Sequence, residues 1–176
     1  MRVLIDAETA ARGIRRMAGE IVERAGGGES IALVGIRRGG VPLAAKLAEH
    51  IQELESVRVP VGAVDISLYR DDASSALPNP QIGRSDIPFD VEGRRIVLVD
   101  DVLYTGRTVR AALDALLDYG RPRTIELAVL IDRGGRELPV QPDFVVKVTE
   151  ISAGERIDVV ADDSGHRAVV YPGVGA

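Results

Sequence analysis

Apolar and polar positions in the first third of the chain follow the repeat of a helix, then of a strand, then of a helix again. Over residues 7–25 the apolar positions recur every three or four residues, which predicts an amphipathic helix ended by the glycines at 26–28. Residues 30–36 are almost all apolar, as in a short buried strand, and a glycine-rich turn follows them. Residues 41–54 return to helical spacing, with Pro42 in the first turn, so this region predicts a strand, turn and helix unit.

The rest of the chain alternates in the same way between strands and helices. Residues 57–68 are rich in Val and Ile and predict a strand, whereas residues 69–90 have little periodicity and predict a loop or a short hairpin arm. Beyond them the pattern predicts, in order, a strand, a helix and two strands, at residues 95–99, 108–119, 124–131 and 144–148. The alternating tail over residues 157–171 predicts a final hairpin.

Apolar strands that alternate with helices predict an α/β fold with a mostly parallel central sheet flanked by helices on both faces. The chain has 176 residues, 45% of them hydrophobic, which is enough for one core, so we expect a single domain over residues 1–176. In such sheets ligands bind beyond the carboxyl ends of the strands. A site is therefore expected among residues 35–40, 100–108 and 132–137.

The composition excludes several kinds of site. The chain has no cysteine and two histidines, His50 and His166, which excludes a disulfide framework, a thiolate nucleophile and a cysteine zinc site. The net charge of -5 argues against wrapping nucleic acid by bulk charge, although a local basic face is compatible with it. No apolar run approaches the roughly 20 residues of a membrane span, and residues 1–6 lack the apolar core of a secretory signal, so we expect a cytoplasmic protein.

The richest chemistry directly follows the predicted strand at 95–99, where Asp100 and Asp101 place two carboxylates side by side. The loop and helix start that come next consist of Val102, Leu103, Tyr104, Thr105, Gly106, Arg107 and Thr108. Unpaired N–H groups at the start of a helix favour a phosphate, and the vicinal hydroxyls of a ribose can donate to two carboxylates. The stretch therefore predicts a ribose 5-phosphate site; the alternative is a turn at the aspartates and a helix cap at Thr105.

Residues 99–110, Val-Asp-Asp-Val-Leu-Tyr-Thr-Gly-Arg-Thr-Val-Arg, resemble the phosphoribosyl pyrophosphate signature of the type I phosphoribosyltransferases. They look most like the PyrR family, a branch of pyrimidine operon attenuators that are also uracil phosphoribosyltransferases. Three further segments resemble the same branch, at residues 34–36, 65–72 and 128–139. The resemblance implies the type I phosphoribosyltransferase fold, with a loop or hairpin lid and a small hood.

The resemblance also implies roles for the residues of the signature. Asp100 and Asp101 would hold the ribose hydroxyls, while residues 102–108 would contact the substrate and bind its 5-phosphate. Asp132 and Arg133, which end the strand at 124–131, would meet the base or its metal. We therefore expect Asp100, Asp101 and Arg133 to be catalytic, although a turn that ends the strand explains Asp132 and Arg133 nearly as well.

Arg37, Arg38 and Gly39 match the pyrophosphate loop of the family in position. In that loop glycine permits close approach of the backbone and arginine supplies positive charge. The chain departs from the family here, because the expected order is Thr-Arg-Gly and residues 38–40 are Arg-Gly-Gly, which places the arginine one residue early. A solvated turn before the helix is the alternative for both arginines.

The implied reaction converts uracil and phosphoribosyl pyrophosphate into UMP and pyrophosphate, with Mg²⁺ as a cofactor held mainly by the substrate. Tyr69 and Arg70 lie at the base of the long loop, which would close over the substrate and exclude water. The alternative is an ordinary loop with Tyr69 packed on the core. Uracil as the base follows from the resemblance alone.

Regulatory members of this branch bind a stem-loop of pyrimidine mRNA through a basic face formed on a homodimer, and uridine nucleotides such as UMP and UTP tighten the complex. The candidate RNA contacts in this chain are Arg12, Arg15, Arg16 and Arg136. A solvated helix face explains Arg15 and Arg16 equally well. Gly19 and Gln141 stand where the family pattern leads us to expect a polar or basic contact.

Three functions therefore stay open. The first is a uracil phosphoribosyltransferase that also binds RNA. The second is a phosphoribosyltransferase for a purine or another base without RNA binding, and the third is an RNA-binding regulator with vestigial catalysis. Base preference in a turnover assay separates the first two, and RNA binding without turnover would indicate the third.

Overall fold

The computed structural model describes residues 1–69 and 85–173, in which it contains eight strands and three helices. The strands are β1 (Arg2–Ile5), β2 (Ile31–Ile36), β3 (Val61–Val64), β4 (Arg95–Leu103), β5 (Thr124–Asp132), β6 (Phe144–Val148), β7 (Arg156–Asp162) and β8 (Gly165–Tyr171). The helices are α1 (Ala7–Ala25), α2 (Gly40–Glu55) and α3 (Arg107–Leu117). No helix in these residues is long and apolar enough to cross a membrane.

Five strands form one parallel sheet in the order β3-β2-β4-β5-β6. One face of this sheet packs against α1 and α2, and the other packs against α3, so β2 is buried along its whole length. Gly35 of β2 lies opposite Val99 of β4, and Leu103 of β4 lies opposite Asp132 of β5. The predicted α/β fold is confirmed, and the carboxyl ends of three neighbouring strands meet at one edge.

Helix α1 has the bounds that its apolar spacing predicts. The Asp6 carboxylate accepts a hydrogen bond from the N–H of Thr9 at 2.8 Å and so caps the first turn. At the other end Gly26, with φ 74°, takes the left-handed conformation in which the chain leaves the helix. Ile14, Met17 and the other apolar residues of one face are buried. The helix therefore lies on the sheet through the face that the periodicity indicates.

Strands β1, β8 and β7 form a second, antiparallel sheet, which we call the hood. The predicted hairpin at residues 157–171 is confirmed as β7 and β8, with Asp162 opposite Gly165 at the turn. The sequence pattern does not predict β1, because four residues that are mostly exposed carry no clear alternation. Ala168 of β8 joins the core that contains α1, so the hood is packed onto the same face of the central sheet.

Two predicted strands have different lengths in the structure. The strand predicted at 57–68 reduces to the four residues of β3, since Pro60 precedes them and the N–H of Ser67 turns back to the Asp65 carboxylate at 2.9 Å. Strand β4 continues past its predicted end through the aspartate pair to Leu103. Most of the predicted loop, residues 70–84, lies outside the described residues, and Asp86 beyond it forms an isolated bridge to Ala63.

Candidate active site

The segments that follow β4 and β5 meet at the carboxyl edge of the central sheet, because these two strands are neighbours. Together they enclose a cavity of about 450 Å³. It is lined by Asp100, Val102, Leu103, Tyr104, Thr105, Gly106, Arg107, Thr108, Val109 and Glu137. The structure therefore brings the predicted residues 102–108 together around one of the two predicted carboxylates.

Asp100 is the buried member of the aspartate pair, with 7% of its surface exposed. Burial raises the pKa of Asp100 well above its ordinary value, and the neighbouring Asp101 carboxylate raises it further. One oxygen of Asp100 accepts the N–H of Asp101 at 2.9 Å, and one oxygen of Asp101 accepts the N–H of Val102 at 2.7 Å. Each carboxylate has a second oxygen that can accept a hydroxyl from a ligand.

The loop after β4 leads the chain into α3 through Gly106. Gly106 has φ 92°, a left-handed conformation that favours glycine, and a Cβ there would lie 3.3 Å from the side chains of Leu138 and Val140. Gly106 has no side chain to cap α3, and the residues at the start of this helix line the cavity. The Thr105 hydroxyl accepts the N–H of Arg107 at 3.3 Å. This arrangement of amides and hydroxyls suits a phosphate.

The loop after β2 brings the predicted pyrophosphate residues close to the aspartate pair. Arg37 and Arg38 are exposed there, and the peptide bond between them is cis. A Cβ on Gly39 would collide with the Asp101 carboxylate, and a Cβ on Gly40 would collide with the backbone of β4. The order Arg-Gly-Gly at residues 38–40, which departs from the family order, is therefore compatible with this packing. Glycine at position 39 leaves room for the carboxylate of Asp101, a predicted catalytic residue.

The loop after β5 packs directly on the loop after β4. The N–H of Arg133 donates to the Leu103 carbonyl at 3.0 Å, and the Arg133 guanidinium lies 3.8 Å from the centre of the Tyr104 ring. Burial would raise the pKa of Asp132, but hydrogen bonds from Arg136 and from the N–H of Gly134 outweigh it and hold that pKa below its ordinary value. Asp132 and Arg133 therefore lie next to the cavity, where the sequence predicts them.

Tyr69, predicted to bind substrate, contacts the C-terminal end of α3 in the structure. Its hydroxyl donates to the carboxylate of Asp118, at the C-terminal end of α3, whereas the cavity lies at the N-terminal end of that helix. Its ring is half-buried against the core on the α3 side of the sheet. This position matches the alternative of core packing, and a role of Tyr69 in binding substrate stays a prediction. Arg70, predicted with it, lies outside the described residues.

The arginines predicted to bind RNA lie in two different environments. Arg12, Arg15 and Arg16 are exposed on α1, where Arg12 pairs with Glu8 at 3.0 Å and Arg16 pairs with Glu20 at 3.2 Å. Arg136, in contrast, has a side chain that is 15% exposed, and protein oxygens surround its guanidinium. RNA binding by Arg12, Arg15, Arg16 and Arg136 stays a prediction.

Glu137 lines the cavity, but it is absent from the predicted site residues. Its carboxylate accepts a hydrogen bond from Arg107 Nε at 2.8 Å, across 30 positions of the chain. The pair joins Arg107, at the start of α3, to the loop after β5. The one signal in the sequence is the position of Glu137 just beyond β5, within the stretch that strand ends predict to be functional.

Oxygen donors are what Mg²⁺ prefers, and Asp100 and Asp101 supply them at this edge. Across residues 1–69 and 85–173 no three His, Asp or Glu side chains converge to form a metal site on their own. The aspartate pair therefore supplies the kind of ligand that fits a magnesium ion at this edge of the sheet.

Sequence comparison assigns this site to a family. Residues 4–164 match the phosphoribosyl transferase domain family. A bifunctional protein PyrR from Roseiflexus sp. (strain RS-1) is 59% identical over 154 residues, which are 88% of this chain and 84% of that protein. A bifunctional protein PyrR from Geobacter sp. (strain M21) is 51% identical over 94% of this chain and 93% of its own length.

Solved structures agree with this assignment at the level of the fold. A hypoxanthine phosphoribosyltransferase from Staphylococcus aureus superposes with a TM-score of 0.67 at 17% identity, over 89% of this chain and 80% of that one. The hypoxanthine phosphoribosyltransferase from Trypanosoma cruzi gives a TM-score of 0.67 at 21% identity, over 84% and 81%. The predicted type I phosphoribosyltransferase fold is confirmed. The chain therefore belongs to the phosphoribosyltransferase family and, within it, to the bifunctional PyrR proteins.

Proposed function

We propose that the chain transfers the phosphoribosyl group of phosphoribosyl pyrophosphate to uracil, forming UMP and pyrophosphate, and that it regulates a pyrimidine operon by UMP-dependent binding to the leader mRNA. One observation carries the enzymatic part: the buried carboxylate of Asp100 and the first turn of α3 line the same cavity. A ribose 5-phosphate has hydroxyls that can donate to Asp100 and a dianionic phosphate that the start of α3 can bind. Membership of the PyrR family supports uracil and RNA.

The proposed roles follow from the positions of these groups. The 5-phosphate binds at residues 104–108, and the ribose hydroxyls donate to Asp100 and Asp101. Arg37 and Arg38 face the departing pyrophosphate from the loop after β2. No protein nucleophile is needed, because positioning and electrostatic stabilisation suffice as the bond between the ribose carbon and pyrophosphate breaks. Arg133, held against Tyr104, is placed to meet the base or the metal.

Magnesium supplies positive charge to the pyrophosphate oxygens when it is bound, which eases the departure of a highly charged leaving group. Asp100 and Asp101 are the residues that would lie beside it. Their carboxylates, which β4 holds at the floor of the site, also stabilise the positive charge that develops on the ribose.

A turnover assay tests the enzymatic part of the proposal. The protein is incubated with phosphoribosyl pyrophosphate, magnesium and one base at a time, namely uracil, hypoxanthine, guanine or orotate, and the nucleotide formed is measured. The proposal predicts UMP from uracil and no comparable product from the other three. Formation of a purine nucleotide, or no turnover while UMP still binds, would contradict it.

The proposed RNA face is the exposed side of α1, presented twice on a homodimer. Arg12 and Arg15 are exposed on α1, and a surface pair such as that of Arg12 with Glu8 is weak enough to yield to phosphate groups. We expect Arg12→Glu with Arg15→Glu to abolish binding to the leader RNA at moderate salt while uracil turnover stays within about twofold of the wild type. The matched control is Arg156→Glu, an exposed arginine of the hood, which should leave RNA binding unchanged. RNA binding that survives the double change would place the RNA elsewhere.

A further inference from the structure

Glu137 places a carboxylate in the cavity in which the 5-phosphate, itself an anion, is proposed to bind. Among the described residues that line this cavity, Asp100 and Glu137 are the two acidic ones. Asp100 is buried and is assigned to the ribose hydroxyls, whereas Glu137 has no part in the proposed reaction. Like charges repel, so a carboxylate beside a phosphate loop lowers the affinity of that loop for phosphate.

The carboxylate of Glu137 has a cationic partner on the phosphate loop itself. Arg107, the first residue of α3, donates from Nε to the Oε2 atom of Glu137 at 2.8 Å. Both residues line the cavity, and their side chains are 37% and 52% exposed. The guanidinium that lies nearest to the proposed phosphate site in sequence is therefore already bound to an anion of the protein.

The backbone holds Glu137 next to the phosphate loop independently of this pair. The Thr105 carbonyl accepts the N–H groups of Glu137 at 2.9 Å and of Leu138 at 3.0 Å. Gly106 packs on the same segment, since a Cβ there would lie 3.3 Å from the Leu138 side chain. A substitution that changes only the carboxylate of Glu137 leaves these contacts in place.

We propose that Glu137 competes with the 5-phosphate for Arg107 and so limits the affinity of the site for phosphoribosyl pyrophosphate and for UMP. This inference rests on the proposed function, because it assumes that the loop binds the phosphate of the substrate. An exposed ion pair is worth no more than about 1 kcal/mol, so a dianion can displace Glu137 at a modest cost in affinity. Water between the half-exposed carboxylate and the phosphate screens their direct repulsion, so the competition for Arg107 is the larger effect.

The competition has a consequence for turnover. UMP carries the same 5-phosphate as the substrate, and a product that binds too tightly leaves slowly. When the phosphate departs, Glu137 takes back Arg107, so the pair favours release of the nucleotide.

The test replaces Glu137 by glutamine, which keeps the shape and one acceptor but removes the charge. We expect the Kd values for UMP and ribose 5-phosphate, measured by calorimetry at low salt, to fall about threefold to fivefold. The Kd for uridine and the KM for uracil should stay within about twofold of the wild type, because neither molecule carries a phosphate. The matched control is Asp114→Asn, which neutralises a half-exposed, arginine-paired carboxylate of α3 outside the cavity lining and should change none of these constants.

Two further measurements separate competition for Arg107 from support of the loop. Glu137→Ala removes the acceptor as well as the charge, so it should tighten UMP binding at least as much as Glu137→Gln does. In an Arg107→Gln background, Glu137→Gln should change the Kd for UMP by less than about twofold, because the group for which the two anions compete is gone.

Weaker UMP binding by Glu137→Gln and Glu137→Ala, in step with a lower Tm, would overturn the proposal in favour of a structural role. An unchanged Kd, equal tightening for uridine, or the full effect in the Arg107→Gln background would also overturn it. Wild-type protein that neither binds UMP nor uses phosphoribosyl pyrophosphate would instead refute the proposed function, which distinguishes the two failures.

Discussion

Asp100 and Glu126 are two buried carboxylates on neighbouring strands of the central sheet, and their surroundings are opposite. Glu126, near the amino end of β5, is 8% exposed, and its Oε1 lies 3.3 Å from Arg95 and 3.9 Å from Arg24. Asp100, near the carboxyl end of β4, is 7% exposed and has a second carboxylate as its neighbour. At the amino edge of the sheet, arginines compensate the buried carboxylate. At the carboxyl edge, two carboxylates lie side by side.

The difference separates stability from function along the same pair of strands. A buried charge is costly unless it is paired, so the arginines at Glu126 serve the fold. Asp100 gains no comparable compensation from Asp101, which raises its pKa together with burial. We infer that the cost at Asp100 is kept because a substrate offsets it, as hydroxyls and magnesium approach the carboxylate.

The largest expected effect comes from removing the charge at the carboxyl edge. We expect Asp100→Asn to lower kcat/KM for UMP formation by about 100-fold or more, because a neutral amide cannot stabilise the positive charge that develops on the ribose. The same change should raise Tm, since it removes an uncompensated buried carboxyl. Steady-state kinetics and thermal unfolding on the same preparation measure both. An Asp100→Asn protein that is active and less stable than the wild type would contradict the difference drawn between Asp100 and Glu126.

The reciprocal change at the amino edge should harm the fold and spare the chemistry. Glu126→Gln leaves Arg95, whose side chain is 16% exposed, without its anionic partner. We expect the free energy of unfolding to fall by about 2 kcal/mol, less than for a fully buried pair because Arg24 remains half-exposed. Denaturant unfolding measures the loss, and kcat/KM at a temperature where the variant is folded should stay within about twofold of the wild type.

The two adjacent glycines of the loop after β2 allow the same comparison within one turn. A methyl group on Gly39 meets the end of the Asp101 side chain, which can rotate away, whereas one on Gly40 meets the carbonyl of Val99 in β4, which cannot. We expect Gly39→Ala to reduce kcat/KM by about tenfold with little change in Tm. Gly40→Ala should cost about 1 to 3 kcal/mol of stability. Equal losses of stability for the two variants would show that Asp101 is not free to move.

The smallest effect concerns pH. Burial first, and Asp101 second, raise the pKa of Asp100 above its ordinary 3.8, so the folded state holds this proton more tightly than the unfolded chain does. The stability from this group is present below about pH 3.8 and is lost as the pH rises through the folded pKa.

Asp100→Asn has no proton to lose at this position. Its advantage in Tm over the wild type, measured without magnesium, should therefore be small near pH 3.8 and grow as the pH rises above it. An advantage that is independent of pH would contradict this account of the buried carboxyl.

The local sequence pattern predicted those features of the fold and the site that depend on residues close together in the chain. The apolar spacing of α1, with Asp6 before it and Gly26 after it, gave both of its ends, and the strand and helix start around residues 100–108 placed the candidate site. Strand β1 could not be predicted, because its four residues are defined by pairing with β8 at the far end of the chain.

The environments of charged side chains could likewise not be predicted from the sequence. Arg12 is exposed on α1, whereas Arg136 is enclosed by oxygens from three segments of the chain. The hydroxyl of Tyr69 donates to Asp118, which lies 49 positions away in the chain. Such contacts depend on how separate elements pack, which periodicity does not record.

The most direct test of the central claim is a crystal structure of the protein with phosphoribosyl pyrophosphate and magnesium, or with UMP. The account predicts the 5-phosphate within about 3 Å of the amides and hydroxyls at residues 104–108. It predicts the ribose hydroxyls within the same distance of Asp100 and Asp101. A phosphate bound away from the start of α3, or a ribose that does not reach the aspartate pair, would contradict it.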